Sequence, residues 1–308
     1  MPDLTLHLGV KTDPVEYRYS YEWLFRLMAE EGVIHAQLGS FFEMYWLPDE
    51  FFLDLRRQAQ RFDVHISSVF TAHRELGGLF RDEPGFRDVA VRSLRRMIEI
   101  GALLGADSVG GSAGSVLRDH MAAKASGTQR YLDAMKTLLP YAGRLGVSVV
   151  TVEPMSCLAE PPTTPDEIVA WAEEMNAYRR LSSAETAEFG YCVDIAHGYL
   201  NGDNRLGWNN VQLFEATLPY LRCVHLKNTN ASFDSTFGFS EVERARGIVD
   251  AAAFRDLLVQ NASVLPTSEV VGYLEIAGPK LGRDYSDCKL EEMLRESLRH
   301  LRETFQSN

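Results

Sequence analysis

The sequence predicts an α/β fold, a single (β/α)8 TIM barrel filling residues 1–308, and three observations carry that prediction. Eight short β-rich runs alternate with eight longer amphipathic stretches from one end of the chain to the other. No linker or low-complexity segment breaks the alternation. No glycine-rich phosphate turn follows the first run (HLGVKTDPVEY), where an open doubly wound sheet usually carries one.

The predicted strands are TLHLGVKT (5–12), VIHAQLG (33–39), VHISSVFTAH (64–73), ADSVGG (106–111), VSVVTVEP (147–154), FGYCVDIAH (189–197), LRCVHLKN (221–228) and VVGYLEIAG (270–278). Several are rich in Val, Ile and Leu throughout, as parallel strands covered on both faces require. Right-handed crossovers then bring each strand beside its predecessor and close the sheet.

The intervening helices carry recognisable ends. YSYEWLFRLMAEEG stops at Gly32, PDEFFLDLRRQAQRF starts at Pro48 and Asp49, and the stretch 86–105 stops at Gly105. TQRYLDAMKTLLPYAGRLG, NNVQLFEATLPYL and DAAAFRDLLVQNASVL fill further gaps, and KLEEMLRESLRHLRETF closes the chain. Thr164-Pro165-Asp166 is a helix entry, with threonine capping free N–H groups and proline in the first turn. The longest gap after a strand, residues 231–250, is a candidate lid or substrate loop.

The bulk numbers exclude some functions. Asp and Glu total 43 against 31 Lys and Arg, a formal charge of −12 that repels phosphate backbones and argues against nucleic acid as a main partner. No run approaches the roughly 18 apolar residues of a membrane span, and the N-terminus lacks the basic start and apolar run of a signal peptide. Cys157, Cys192, Cys223 and Cys288 form no CxxC pair, which reads as reduced thiols. A cytoplasmic protein is expected.

In such a barrel the reactive residues sit at the C-terminal ends of strands. Strand five ends in Glu153, strand six in Asp194 with His197 just beyond, strand seven in His225 and Lys227, and strand eight in Glu275. Any one acid here, taken singly, reads first as an ion-paired structural group, His197 also as a helix cap and His225 also as a core histidine. Together, Glu153, Asp194, His225 and Glu275 end four successive apolar runs and face one rim. That much negative charge in a cleft needs a balance. One divalent metal ion is the simplest balance, and oxygen plus imidazole ligands suit Mn, Mg, Co or Zn.

The segments VTVEP, VDIAH, VHLKN and YLEIAG, in that order, resemble the xylose-isomerase-like sugar phosphate isomerase/epimerase superfamily, which includes ketose 3-epimerases and endonuclease IV. The start HLGVKTDPVEYRYSYEWLFRLMAEEGV and the segment SVFTAHRELGG are similar to the tetrulose-phosphate racemases/epimerases of bacterial erythritol catabolism. The resemblance to ketose 3-epimerases implies that Glu153, Asp194, His225 and Glu275 hold the metal, that Glu153 and Glu275 are the catalytic acid/base pair, and that His197 contacts substrate oxygens. It departs at one point: the epimerases of free ketohexoses carry an arginine a few residues after the metal histidine, and KNTNAS stands here. Lys227, Arg244 or Arg246 is the candidate replacement.

These readings imply a small sugar or sugar phosphate as partner and removal of the proton beside a ketone, with an enediolate as the intermediate. Candidate donors for a phosphate are Lys11 at the end of strand one, His73 and Arg74 after strand three, and the turn GGSAGS (110–115), which is equally ordinary loop composition. Phe41, Phe42, Tyr45 and Trp46 are candidate cleft walls. An aldose–ketose isomerase uses the same groups, and a sugar-acid lyase or dehydratase is the next alternative. Barrels of this superfamily often form homo-oligomers; the sequence marks no interface.

Overall fold

The computed structural model describes residues 4–71, 74–182, 185–201, 203, 205–276 and 289–306, with the backbone alone for residues 74–76. Eight parallel strands close into one barrel: Thr5–Lys11, His35–Leu38, His65–Thr71, Ser108–Gly111, Val149–Val152, Glu188–Asp194, Leu221–Leu226 and Glu269–Leu274. In barrel order each strand neighbours its predecessor in sequence, and the last pairs with the first from Thr5–Glu269 to Val10–Leu274. Helices surround the sheet and bury leucine, methionine and phenylalanine against it, so one core runs continuously between the two layers.

The helix ends follow the local chemistry. The Ser20 hydroxyl accepts from Trp23 N–H ahead of helix Tyr21–Glu30, and Thr164 accepts from Glu167 N–H ahead of Pro165–Leu181. Helix Pro84–Leu104 stops at Gly105, whose φ of 73° only glycine adopts freely. The first and last helices are clasped where Glu31, nearly buried, receives Arg295 and Arg299 from helix Leu290–Thr304.

Several boundaries differ from the sequence expectation, and the reasons lie at the barrel mouth. Strand six ends at Asp194 rather than 197 because its Oδ1 accepts Ala196 N–H at 2.8 Å and starts a turn. Strand seven ends at Leu226; Asn228–Thr229 instead pairs antiparallel with Thr236–Phe237. Of GGSAGS, Gly110 and Gly111 belong to strand four, where a Cβ would strike Thr151 and the Thr71 carbonyl. Positions 72–73 and 277–278 of the expected strands lie outside the described residues.

The expected 231–250 loop is tied down. It holds the second strand of that hairpin, a helical turn Glu241–Arg244 with a Ser240/Glu243 capping box, and a return held by Val249 N–H donating to Asn228 Oδ1. A second hairpin, Tyr199–Leu200 with Leu206–Trp208, follows strand six. Among the described residues no helix is long and apolar enough to cross a membrane.

Candidate metal centre

Four strands deliver the site. Glu153 follows strand five and is anchored by its N–H to the Gly111 carbonyl; Asp194 ends strand six; His225 lies in strand seven; Glu275 follows strand eight, its N–H on the Leu226 carbonyl. Each offers one ligand atom, and those atoms lie within 4.8 Å of one another. His225 and Asp194 are directly paired in register, so the sheet itself fixes that half of the cluster.

His225 is fully buried and used on both sides. Its Nε2 lies 2.7 Å from Gln37 Oε1, while the Gln37 amide nitrogen donates to Ser68 Oγ at 3.1 Å. With an acceptor opposite it, Nε2 carries a hydrogen and donates, which turns Nδ1 toward the cluster. Nδ1 sits 3.0 Å from Glu153 Oε1 and 2.9 Å from Glu275 Oε2. A lone pair there would face two carboxylates, so this position calls for a proton or a metal ion. Burial opposes charge on His225, but Cys192, Glu275 and Glu153 outweigh it and push its pKa well above the usual imidazole value.

Two lysines complete the charge pattern. Lys11 Nζ, 2% exposed, lies 3.0 Å from both Glu275 Oε1 and Asp13 Oδ2 and 5.2 Å from the Phe70 ring centroid. Lys227 Nζ lies 3.1 Å from both Asp194 Oδ2 and Glu275 Oε2. Burial acts to raise the Glu275 pKa, yet Lys11, Lys227 and His225 hold it well below the usual carboxylate range. Asp194 is likewise lowered, with burial opposed by His197 and Lys227. Burial would lower both lysines; for Lys11, Asp13 and Glu275 reverse it, and for Lys227, Asp194 and Glu275 do.

The residues fit a divalent cation. Asp194 Oδ2 and Glu275 Oε2 are buried with no well-directed hydrogen bond, although Lys227 lies 3.1 Å from both, His197 3.2 Å from Asp194 and His225 2.9 Å from Glu275. Unsatisfied buried carboxylate oxygens beside an inward imidazole nitrogen are what a metal would satisfy. The cluster Glu153, Asp194, His225 and Glu275 could therefore bind a metal ion.

The other candidates divide. His197 borders the cluster: its Nδ1–H donates to the Pro154 carbonyl at 2.8 Å and its Nε2 lies 3.2 Å from Asp194 Oδ2. Lys11 and Lys227 are at the site but engaged by carboxylates, since a buried ammonium needs a partner. Arg246 is exposed, its guanidinium 4.0 Å from the Phe237 ring centroid, and Arg244 donates to His300 Nδ1. His73 and the Arg74 side chain lie outside the described residues. Phe41 is core, whereas Phe42 and Trp46 are exposed. A surface groove of about 530 Å³ between Gly77, Phe86, Ser115 and Leu117 includes none of the cluster.

Sequence reasoning missed Gln37, which orients His225, and Asp13, which shares Lys11 with Glu275. The signal for Gln37 was present, a polar residue near the end of the short strand VIHAQLG.

A closed parallel barrel with this cluster at the strand ends defines the class, and residues 26–304 match the xylose isomerase-like TIM barrel family; the chain belongs to it. No curated protein matches the chain in sequence. It is similar to a Rhodospirillum rubrum structure provisionally described as a xylose isomerase, with a TM-score of 0.80 and 17% identity over 97% of this chain and 99% of that one. It is similar also to D-psicose 3-epimerase from Clostridium cellulolyticum (TM-score 0.71, 15% identity, 98% and 100% covered) and to an L-ribulose 3-epimerase (TM-score 0.67, 12% identity, 98% and 95% covered). At these identities the likeness is one of fold.

Proposed function

We propose that this protein is an enzyme, a metal-dependent epimerase or racemase that inverts the carbon beside the ketone of a short ketose phosphate, with a tetrulose 4-phosphate such as erythrulose phosphate as substrate. One observation carries the reading: Glu153 and Glu275 reach the same imidazole nitrogen, at 3.0 and 2.9 Å, from strands separated by the two that supply Asp194 and His225. Inversion needs two carboxylates on opposite faces of a planar intermediate, and this spacing supports that arrangement. The barrel shared with ketose 3-epimerases agrees with it.

In this reading Glu153, Asp194, His225 and Glu275 hold the ion. Bound there, Mn, Mg, Co or Zn supplies the positive charge that makes a C–H beside a ketone acidic. Glu275, kept ionised by Lys11 and Lys227, takes the proton at its carboxylate. Glu153 returns a proton from the other side. His197, fixed by Pro154, orients a substrate oxygen, and Lys227 takes the place of the arginine found in free-ketohexose epimerases. Arg74 and the loop that follows Gly111 are the proposed phosphate donors, and Lys11 keeps its place beside Glu275 and Asp13.

The test is turnover of four- to six-carbon ketoses and their phosphates in deuterated water, with each metal added separately. Deuterium appears at the inverted carbon. Glu153→Gln and Glu275→Gln each lower turnover about 10²–10⁴-fold, the range of one acid–base group, in a folded protein. Label on the neighbouring carbon instead means an aldose–ketose isomerase, and exchange that survives both replacements overturns the assignment of the pair.

A further inference from the structure

We infer that Phe233 is a size-limiting residue, set over the His197–Gly198 step so that a short ketose is accepted beside the cluster and a longer one is refused. The inference rests on the epimerase reading above and names the part of the site that chooses chain length.

Phe233 has a φ of 53°, a left-handed conformation that bulky side chains avoid and that is found at ligand clamps more often than elsewhere. The turn does not need a phenylalanine. Asn230 builds it: its Oδ1 accepts Ser232 N–H and Asp234 N–H, its Nδ2 donates to Asp234 Oδ1, and Phe233 N–H donates to the Asn230 carbonyl. The hairpin stem is closed independently by Asn228–Thr229 against Thr236–Phe237. A strained aromatic at a tip already closed by other groups is there for its ring.

The ring goes to Gly198. A Cβ at that position would meet Phe233 ring atoms at 2.5–2.8 Å, so only glycine allows the approach. Gly198 follows His197, whose Nε2 faces Asp194 Oδ2 at 3.2 Å. The half-buried ring thus joins the loop after strand seven to the loop after strand six, at the residue that follows His197. A substrate chelated at the cluster and extending past His197 meets this ring. The aromatic removes volume on that side and adds no charge, so it selects by length, not by phosphate.

The decisive variant is Phe233→Asn, since asparagine adopts the left-handed backbone readily and removes only the ring. Manganese-loaded wild type and variant are compared on four-carbon and six-carbon ketose phosphates. We expect the six-to-four-carbon ratio of kcat/KM to rise at least about tenfold, as loss of an apolar wall allows. Manganese affinity stays unchanged and the thermal midpoint does not fall. Gly198→Ala, which pushes the ring away, shifts the ratio in the same direction. A ratio within about twofold of wild type in folded, metal-loaded Phe233→Asn overturns the inference alone. A wild type that turns over no ketose phosphate of any length overturns the epimerase reading and this inference with it.

Discussion

The two ends of the barrel both gather histidines, with opposite results. At the mouth, His225 is fully buried, yet its pKa is driven well above the usual imidazole value because Cys192, Glu275 and Glu153 outweigh burial. At the base, His7, His35 and His65 stand near the starts of strands one to three, His7 and His35 with ring centroids 5.0 Å apart. There the His35 pKa falls to about 4, lowered first by burial and then by His7 and His65, with Asp107 and Glu269 too exposed to compensate. The same side chain on the same sheet becomes a cation site at one end and a neutral structural group at the other. Neighbours decide, and the mouth is where the barrel tolerates unbalanced charge because a ligand can settle it.

The sharpest way to break that contrast is to remove the residue that aims His225. Gln37→Leu deletes the acceptor for Nε2–H and leaves the imidazole free to turn. Loss of such an outer partner weakens metal binding roughly 10–100-fold. Isothermal titration with manganese measures it, and the fold, read by circular dichroism, is unaffected. Wild-type affinity in Gln37→Leu would mean that His225 does not face a metal through Nδ1.

A second, smaller effect follows from the raised pKa itself. A metal at Nδ1 must displace the proton that Glu153 and Glu275 hold there, so binding releases protons and weakens as pH falls. Below the His225 pKa the manganese dissociation constant rises by up to about tenfold per pH unit for one displaced proton. Titrations in buffers of different ionisation enthalpy count that proton. Affinity independent of pH between 8 and 6, about the span of ordinary imidazole titration, would remove His225 from the ligand set.

Much of this was open to a sequence reader, and the exceptions share a cause. The eight-fold alternation is a matter of spacing, so it survives without coordinates. The four clustered side chains are legible as polar ends of apolar strands. What spacing cannot give is the side to which a residue on a short strand points. Gln37 in VIHAQLG reads as an ordinary polar position until the pleat turns it inward beneath His225. Lys11 reads as a free cation for phosphate until its burial, 2% exposed, shows that it must be paired. Arg246, a loop arginine suggested as a substrate contact, is exposed, with its guanidinium over the Phe237 ring, a placement that spacing does not foretell. Phe233 is illegible for another reason, since a positive φ belongs to the turn around it and not to the residue type.

The smallest effect tests the base. Because the His35 pKa is depressed in the fold, to about 4 from an ordinary 6.5, the unfolded chain binds more protons between those values. Stability from this group is therefore fully present above pH 6.5 and lost as pH falls toward 4. The loss is on the order of 2 kcal/mol, after allowance for partial exposure. His35→Asn cannot take up the proton and keeps an amide able to bond Ser67 Oγ, which His35 Nδ1 approaches at 3.3 Å. The other groups facing this position, His7, His65, Asp107 and Glu269, are present in both proteins, so the difference between urea-unfolding curves at each pH reports on His35. Wild type should lose more stability than the variant between pH 6.5 and 4, with turnover at neutral pH the same in both. Parallel curves would show that His35 is solvated like an ordinary imidazole, and the contrast between the two ends would then rest on the mouth alone.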